Sequence, residues 1–118
     1  MYRLSLAAVI VALTLAPSTG AAQAPAPDGA ALYRQNCRSC HGLKGAAPQR
    51  MVTVYPKLPA SIADTAYLRT RSVDSIAAVI RHGAGRDMKG FAERLSAEEV
   101  AAIAKFVKGL ASDTTHAP

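Results

Sequence analysis

Cys37-Arg38-Ser39-Cys40-His41 is the stretch around which the rest of the chain can be understood. Two cysteines separated by two residues, with a histidine directly after the second, are typical of covalent attachment of a c-type haem. Residues three apart on a helical turn share a face, so Cys37 and Cys40 can reach one edge of a flat macrocycle and bond its two vinyl groups. His41 would then lie beside the iron as its proximal ligand. The chain has no other cysteine.

Three other interpretations of the motif are open. A disulfide between the two cysteines would indicate a thioredoxin-like oxidoreductase, but that fold needs a βαβ pattern that this chain lacks. A zinc site needs four ligands, and only His82 and His116 remain as further donors of the usual kind. A chance match is the third alternative, because only three residues of the motif are fixed.

The N-terminus has the pattern of a secretory signal peptide. Arg3 gives a positive start, and residues 4–16 form an apolar run that only two polar residues interrupt. We predict cleavage after Ala22, which makes residues 1–22 the signal peptide, although cleavage after Ala24 also fits. An uncleaved anchor is the competing interpretation, but the run is short for a membrane span. Because this kind of haem attachment takes place outside the bacterial inner membrane, we expect a periplasmic protein.

The remainder of the chain is predicted to hold one small domain. Residues 23–27 are an Ala/Pro linker, residues 28–111 are the domain, and residues 112–118 are a disordered tail. A chain of this size buries little surface per residue, so a covalently held haem would supply apolar area on which the side chains pack.

The charge balance indicates the kind of partner. The net charge is +6, and it falls by one to +5 when Arg3 leaves with the signal peptide. A basic protein can bind nucleic acid, a membrane surface or an acidic protein. Nucleic acid is disfavoured because aromatic residues are only 5% of the chain and the basic residues are dispersed. We therefore expect an acidic redox protein as the partner.

Four helices are predicted from cap and breaker residues. Their bounds in chain order are residues 29–36, 63–69, 73–82 and 97–108. Asp28 and Ser72 are the predicted N-caps of the first and third helices, and Gly83 ends the third. Ser96 and Glu99 form a capping box at the start of the last helix.

Hydrophobic periodicity predicts which side chains face inward. The predicted inward set is Tyr67, Leu68, Val73, Ile76, Ala77, Ile80, Val100, Ile103, Phe106, Val107 and Leu110, whereas Glu98, Ala101, Lys105 and Lys108 form the outer side of the last helix. Two irregular segments connect the helices. The first, residues 42–61, includes a short extended piece predicted at residues 51–55, and the second, residues 83–94, is centred on Met88.

A haem iron takes a sixth ligand or keeps an open site. The candidates are Met51, Met88, His82 and His116. Met88 lies in a glycine-containing loop between the last two helices, where a thioether can point inward without helical constraint, so position favours it. Met51 in the earlier loop, His82 at a helix end and His116 in the tail stay open as alternatives.

Taken together, these features resemble class I c-type cytochromes, specifically the small bacterial single-haem type, over residues 28–110. The resemblance rests on Gly29 and Tyr33, the motif at residues 37–42, Pro56-Lys57-Leu58, Tyr67-Leu68, His82-Gly83, Met88, Phe91 and the segment from Leu95 to Glu99. It implies an all-α cytochrome c fold of about four short helices around one covalently bound haem c.

The resemblance also implies roles for single residues. Met88 corresponds to the distal iron ligand. The carbonyl of Pro56 would accept a hydrogen bond from Nδ1 of His41 and so orient the ring, with Pro48 as the alternative. Gly29 and Tyr33 on the first helix would cross the last helix at Phe106. Two departures stand out, since Lys89 follows Met88 where many members have proline, and Pro59 follows the Pro56 segment where many have Ala-Gly.

An iron held by histidine and methionine exchanges one electron with little rearrangement and offers no free site to a substrate. The chain is therefore expected to be a monomeric electron carrier, not an enzyme, with no small-molecule substrate. The basic residues that flank the motif and the ligand loop could steer an acidic partner as a basic collar; they are Lys44, Lys57, Arg86 and Lys89.

Two alternative functions are kept. The first is a dedicated cytochrome subunit of a periplasmic dehydrogenase or oxidase. The second is a haem sensor or peroxidase, which would require the sixth ligand to be absent or easily displaced.

Overall fold

The computed structural model describes residues 20, 22–55, 61–62 and 64–111. The predicted tail, Pro56 and all of the predicted signal peptide except residues 20 and 22 lie outside this part of the chain. Among the described residues, no helix is both long and apolar enough to cross a membrane.

The described chain is mainly helical, as predicted. In chain order the elements are α1 (Gly29–Asn36), α2 (Arg38–His41), a 3-10 helix (Gln49–Thr53), α3 (Thr65–Arg69), α4 (Val73–His82), β1 (Gly83–Ala84), β2 (Met88–Lys89) and α5 (Ala97–Gly109). The two strands pair antiparallel, with Gly83 opposite Lys89 and Ala84 opposite Met88.

Helix α5 packs against both α1 and α4, and the core lies between these three helices and α3. The largest fully buried side chains are Tyr33, Leu68, Val100 and Ile103. The core cluster therefore takes its members from the inward faces that the sequence periodicity predicts, with Tyr33 of α1 and Ala104 of α5 added.

Local caps fix the helix ends where the sequence predicts them. The Asp28 carboxylate accepts from the amides of Ala30 and Ala31 at 3.0 and 3.1 Å, and α1 begins directly after it. The capping box at α5 has both of its hydrogen bonds, from the Ser96 amide to Glu99 at 2.8 Å and from the Glu99 amide to Ser96 at 3.2 Å. Such reciprocal bonds satisfy two amides that a helix start leaves free.

Three predictions about the connecting segments are wrong. The extended piece at residues 51–55 is absent, because the chain there turns into the 3-10 helix, in which the Met51 amide bonds to the Pro48 carbonyl at 2.9 Å. Helix α3 begins at Thr65 instead of residue 63, since Asp64 is its cap and accepts from the Ala66 amide at 2.8 Å. The segment at residues 83–94 contains the β1–β2 hairpin in place of an irregular loop.

The prediction that Lys108 lies on the outer side of α5 is also wrong. Its Nζ donates to the main-chain oxygen of Leu68 and, at 2.6 Å, to that of Arg71. Lys108 thus ties α5 to the end of α3, where helical carbonyls lack partners within their own helix.

Candidate haem site

A cavity of about 960 Å³ opens between the α1–α2 segment, α4, the β1–β2 hairpin and α5. Apolar side chains from α4 and α5 form one part of its wall, among them Ile76, Ile80, Ile103 and Val107. Cys37, Cys40, His41 and Met88 all line the same space. Its size lies at the upper end of the range for small-molecule and cofactor sites.

The cysteine motif is held by a nearly continuous helical path through α1 and α2. The Cys37 amide bonds to the Tyr33 carbonyl at 2.9 Å, and the His41 amide bonds to the Cys37 carbonyl at 2.9 Å. Gly42 then ends the helix with φ +72°, and a side chain there would collide with the Ala46 carbonyl. The motif is therefore presented on a short helix that is stopped directly after the histidine.

Tyr33 connects this segment to the core. Its hydroxyl donates to the Gly42 carbonyl at 2.8 Å, and its ring is fully buried. Burial, with a smaller contribution from Cys37, raises the pKa of the Tyr33 phenol to about 12. The phenol is thus kept neutral as a donor that fixes the turn after His41.

His41 has a ring whose surroundings suit a metal ligand. Burial lowers the pKa of His41 below its ordinary value, which favours the neutral ring that can offer a nitrogen lone pair. Its Nδ1 is buried and has no hydrogen-bond partner among the described residues. Pro56, whose carbonyl is expected to bond to this atom, lies outside the described part of the chain, so that role stays a prediction.

The two thiols are free, and their chemistry disfavours a thioredoxin-like site. Burial, with a smaller contribution from Cys40, raises the pKa of the Cys37 thiol to about 11. Nucleophilic cysteines of redox enzymes have lowered pKa values instead. A zinc site is also unsupported, because among the described residues no group of three or more His, Cys, Asp or Glu side chains is arranged to hold a metal ion.

The four candidates for the sixth ligand differ in whether they line the cavity. Met88, in β2, lines it together with the motif, and so does the exposed His82 at the end of α4. Met51 is buried, with 8% exposure, but it lies in the 3-10 helix and does not line the cavity. His116 lies outside the described residues.

Sequence reasoning missed several polar side chains of the cavity wall. Arg81, Arg94 and Tyr55 line the cavity, and the Arg94 guanidinium lies 4.5 Å from the centre of the Phe91 ring. The spacing of Phe91 and Arg94 is a weak signal for such a stacked pair. Tyr67, predicted to face inward, lines the cavity, and the Arg71 guanidinium lies 4.4 Å from the centre of its ring.

These features fit a haem. The cavity has apolar walls, two thiols and a histidine ring on one helical segment, and a thioether on a separate hairpin. Cys37, Cys40 and His41 would hold the group from one side, and Met88 stands in the same space as a further donor.

Comparison with known proteins agrees with this assignment. Residues 24–107 match the protein family described as "Cytochrome C oxidase, cbb3-type, subunit III". Among solved structures, the KustC0563 c-type cytochrome shares 31% identity at a TM-score of 0.61, covering 70% of this chain and 96% of that chain. A tyrosine-to-phenylalanine mutant of Kustc0563 shares 30% identity at a TM-score of 0.60, covering 70% of this chain and 98% of that one. No curated protein matches the chain.

Proposed function

The chain belongs to the c-type cytochrome family described as subunit III of cbb3-type cytochrome c oxidase, and we propose that it is a periplasmic single-electron carrier with His41 and Met88 as axial ligands of its haem. Membership in this family implies one covalently bound haem c with its iron and a role in electron transfer, within a cytochrome c fold. The compartment, the ligand pair and the partners are the proposed part.

The observation that carries the proposal is that His41 and Met88 line one cavity from different elements. His41 ends the helix that also carries both thiols, and Met88 belongs to the hairpin beyond α4. With His41 and Met88 both bound to the iron, the site would leave no free position for a substrate. Methionine in the sixth position also raises the reduction potential relative to a second histidine.

The bound haem supplies one-electron chemistry at its iron. The protein's part is to attach, orient and shield it. Cys37 and Cys40 would fix one edge of it, and Tyr33 holds the turn after His41 through its bond to Gly42. The apolar side chains from α4 and α5 would keep water from the buried face of the haem, which would limit rearrangement of solvent when the charge of the iron changes.

The proposed partner is an acidic redox protein. Arg86 and Lys89 of the predicted basic collar are exposed on and beside the hairpin, Lys44 is exposed after the motif, and Lys57 lies outside the described residues. Arg38, between the two cysteines, is exposed as well. Positive charge beside the attachment edge favours encounter with an acidic surface and would weaken as salt rises.

A second candidate function is that of a subunit docked on a larger periplasmic or membrane-bound oxidoreductase. The family description itself favours it, because it names a subunit of an oxidase. A free carrier would be recovered from native cells in the soluble periplasmic fraction at the mass of a monomer. Stoichiometric recovery with a larger complex in the membrane fraction would favour the subunit function, and recovery from the cytoplasm would contradict both.

The ligand pair is tested by the absorption spectrum of the mature protein, produced with haem-attachment machinery, beside Met88→Leu and Met51→Leu. Leucine conserves the volume of methionine and removes the sulfur. We expect a ferric charge-transfer band of sulfur on iron in the wild type and in Met51→Leu, and its loss in Met88→Leu. A high-spin ferric wild type that binds carbon monoxide when reduced at neutral pH would instead favour a sensor or peroxidase.

A further inference from the structure

The segment after Met88 completes the hydrogen bonding of the end of α4. A helix leaves its last four carbonyls without partners in the helix. Here the Gly83 amide bonds to the Val79 carbonyl, the Phe91 amide to Ile80 at 3.0 Å, and the Ala92 amide to Arg81 at 3.3 Å. Two of these three carbonyls are therefore satisfied by residues that follow Met88.

Gly90 makes this contact possible by its lack of a side chain. A Cβ at position 90 would lie 2.5 Å from the Arg81 oxygen and 2.8 Å from the carbonyl carbon of His82. Both are main-chain atoms, so they cannot turn aside as a flexible side chain would. Any larger residue would push the strand that carries Met88 away from α4.

Gly83, at the end of α4, makes a similarly close contact with the main chain of the segment that carries Met88. It has φ +84°, a conformation that favours glycine, and a Cβ there would lie 2.4 Å from the Met88 oxygen and 2.7 Å from the Gly90 nitrogen. The main chains of Gly83 and Gly90, which precede and follow Met88 in the sequence, are thus in direct contact. We call this pair, with the bonds of Phe91 and Ala92 to α4, the glycine interlock.

We propose that the glycine interlock is the device that positions Met88 against α4 and so determines how firmly its sulfur can hold the haem iron. The inference rests on the proposed role of Met88 as a ligand. The chain leaves α4 through Gly83, turns at residues 85–87 and returns through β2 to Gly90, so both ends of the segment carrying Met88 are anchored on the same helix end.

Lys89 is consistent with this role. It pairs with Gly83 in the hairpin and directly precedes Gly90. The close main-chain approaches at Gly83 and Gly90 thus lie on both sides of Lys89, across the hairpin and directly after it in the chain.

Four glycines allow a matched test on the haem-loaded protein. Gly83 combines positive φ with close contact, Gly90 has close contact alone, and Gly85 has φ +61° with no atom within 4 Å of the place that a Cβ would take. Gly109, which also has no atom within 4 Å of that place, has neither constraint. Each is replaced by alanine, and the rate at which added imidazole removes the sulfur-to-iron band is measured, together with the reduction potential.

We expect Gly90→Ala and Gly83→Ala to raise the displacement rate by about tenfold or more and to lower the potential, because overpacked contacts must open. Gly85→Ala should raise the displacement rate by less than about fivefold, because it introduces conformational strain alone. Gly109→Ala should change this rate by less than about twofold. A Gly90→Ala rate within twofold of the wild type, or a larger effect from Gly85→Ala, would overturn the proposal.

Hydrogen exchange of the wild type decides the matter if Gly90→Ala yields no folded protein. The interlock predicts that the amides of Phe91 and Ala92 are protected to within about tenfold of the α4 amide of Ile80. Exchange as fast as that of the turn at residues 85–87 would refute it. If protection holds but the wild type lacks the sulfur band, the interlock stands and the proposed ligand pair fails.

Discussion

The ring of Tyr33 on α1 lies against the ring of Phe106 on α5, with centroids 5.0 Å apart and planes inclined by 50°. One turn earlier, α1 presents Gly29 directly to the main chain of α5 at Ala102. Because the same helix path carries Cys37 and His41, this crossing also sets where the haem-attachment motif stands relative to the rest of the core.

Replacing Gly29 by alanine should open this crossing. A Cβ at position 29 would lie 2.1 Å from the Ala102 oxygen, so one helix must move. We expect the free energy of unfolding of the haem-loaded protein, measured by denaturant titration, to fall by about 1–3 kcal/mol. Gly109→Ala, where nothing lies within 4 Å, should be neutral or slightly stabilising. Equal effects of the two changes would contradict the close crossing.

Tyr33 should make stability depend on pH in the alkaline range. Its folded-state pKa is raised from 10.0 to about 12, so the folded protein holds this proton more tightly than the unfolded chain. The contribution is complete below pH 10 and is lost as pH rises towards 12, to a total on the order of 2 kcal/mol. Tyr33→Phe has no such proton, so its unfolding free energy should fall less between pH 9 and 11. Parallel curves for both proteins would disprove this assignment.

Features determined by a few neighbouring residues were predictable from the sequence. The caps at Asp28 and Ser72 and the capping box of Ser96 and Glu99 all involve contacts within three residues, and the structure confirms each of them. The cysteine motif is local in the same sense, and the structure places both thiols and His41 at one cavity.

Features that depend on distant partners were not predictable. β-Branched residues near Thr53 favour a strand, but a strand needs a neighbour, and the chain forms a 3-10 helix there instead. The hairpin brings the main chain of Gly83 against that of Gly90, a contact that no periodicity reveals. Lys108 has the spacing of an outer residue, yet its long side chain reaches back to carbonyls about 40 residues earlier in the chain.

Lys108 should therefore matter for stability, unlike the exposed Lys105 on the same helix. Its ammonium donates to the carbonyls of Leu68 and Arg71, and a hydrogen bond to a charged group makes a net contribution of about 1.5–3 kcal/mol when it is shielded from solvent. Lys108→Met keeps the apolar stem and removes the donors. We expect it to lower the unfolding free energy by about 1–3 kcal/mol, whereas Lys105→Met should change it by less than about 0.5 kcal/mol. Equal unfolding free energies of the two variants in denaturant titrations would contradict a stabilising role for the Lys108 hydrogen bonds.

Arg38 should accelerate electron exchange with anionic oxidants because it is exposed between the two cysteines of the attachment edge. The trianion ferricyanide is a convenient probe, and one removed charge at about 10 Å should slow its reaction with the reduced protein about three- to tenfold at 10 mM ionic strength. Lys105→Gln is the matched control, because Lys105 is exposed on the side of α5 away from Ile103 and Val107, which line the cavity. Arg38→Gln should lose its effect near 0.5 M salt, where screening is strong. A stopped-flow rate that Arg38→Gln and Lys105→Gln change equally would show that only the net charge matters and that electrons do not leave beside the attachment motif.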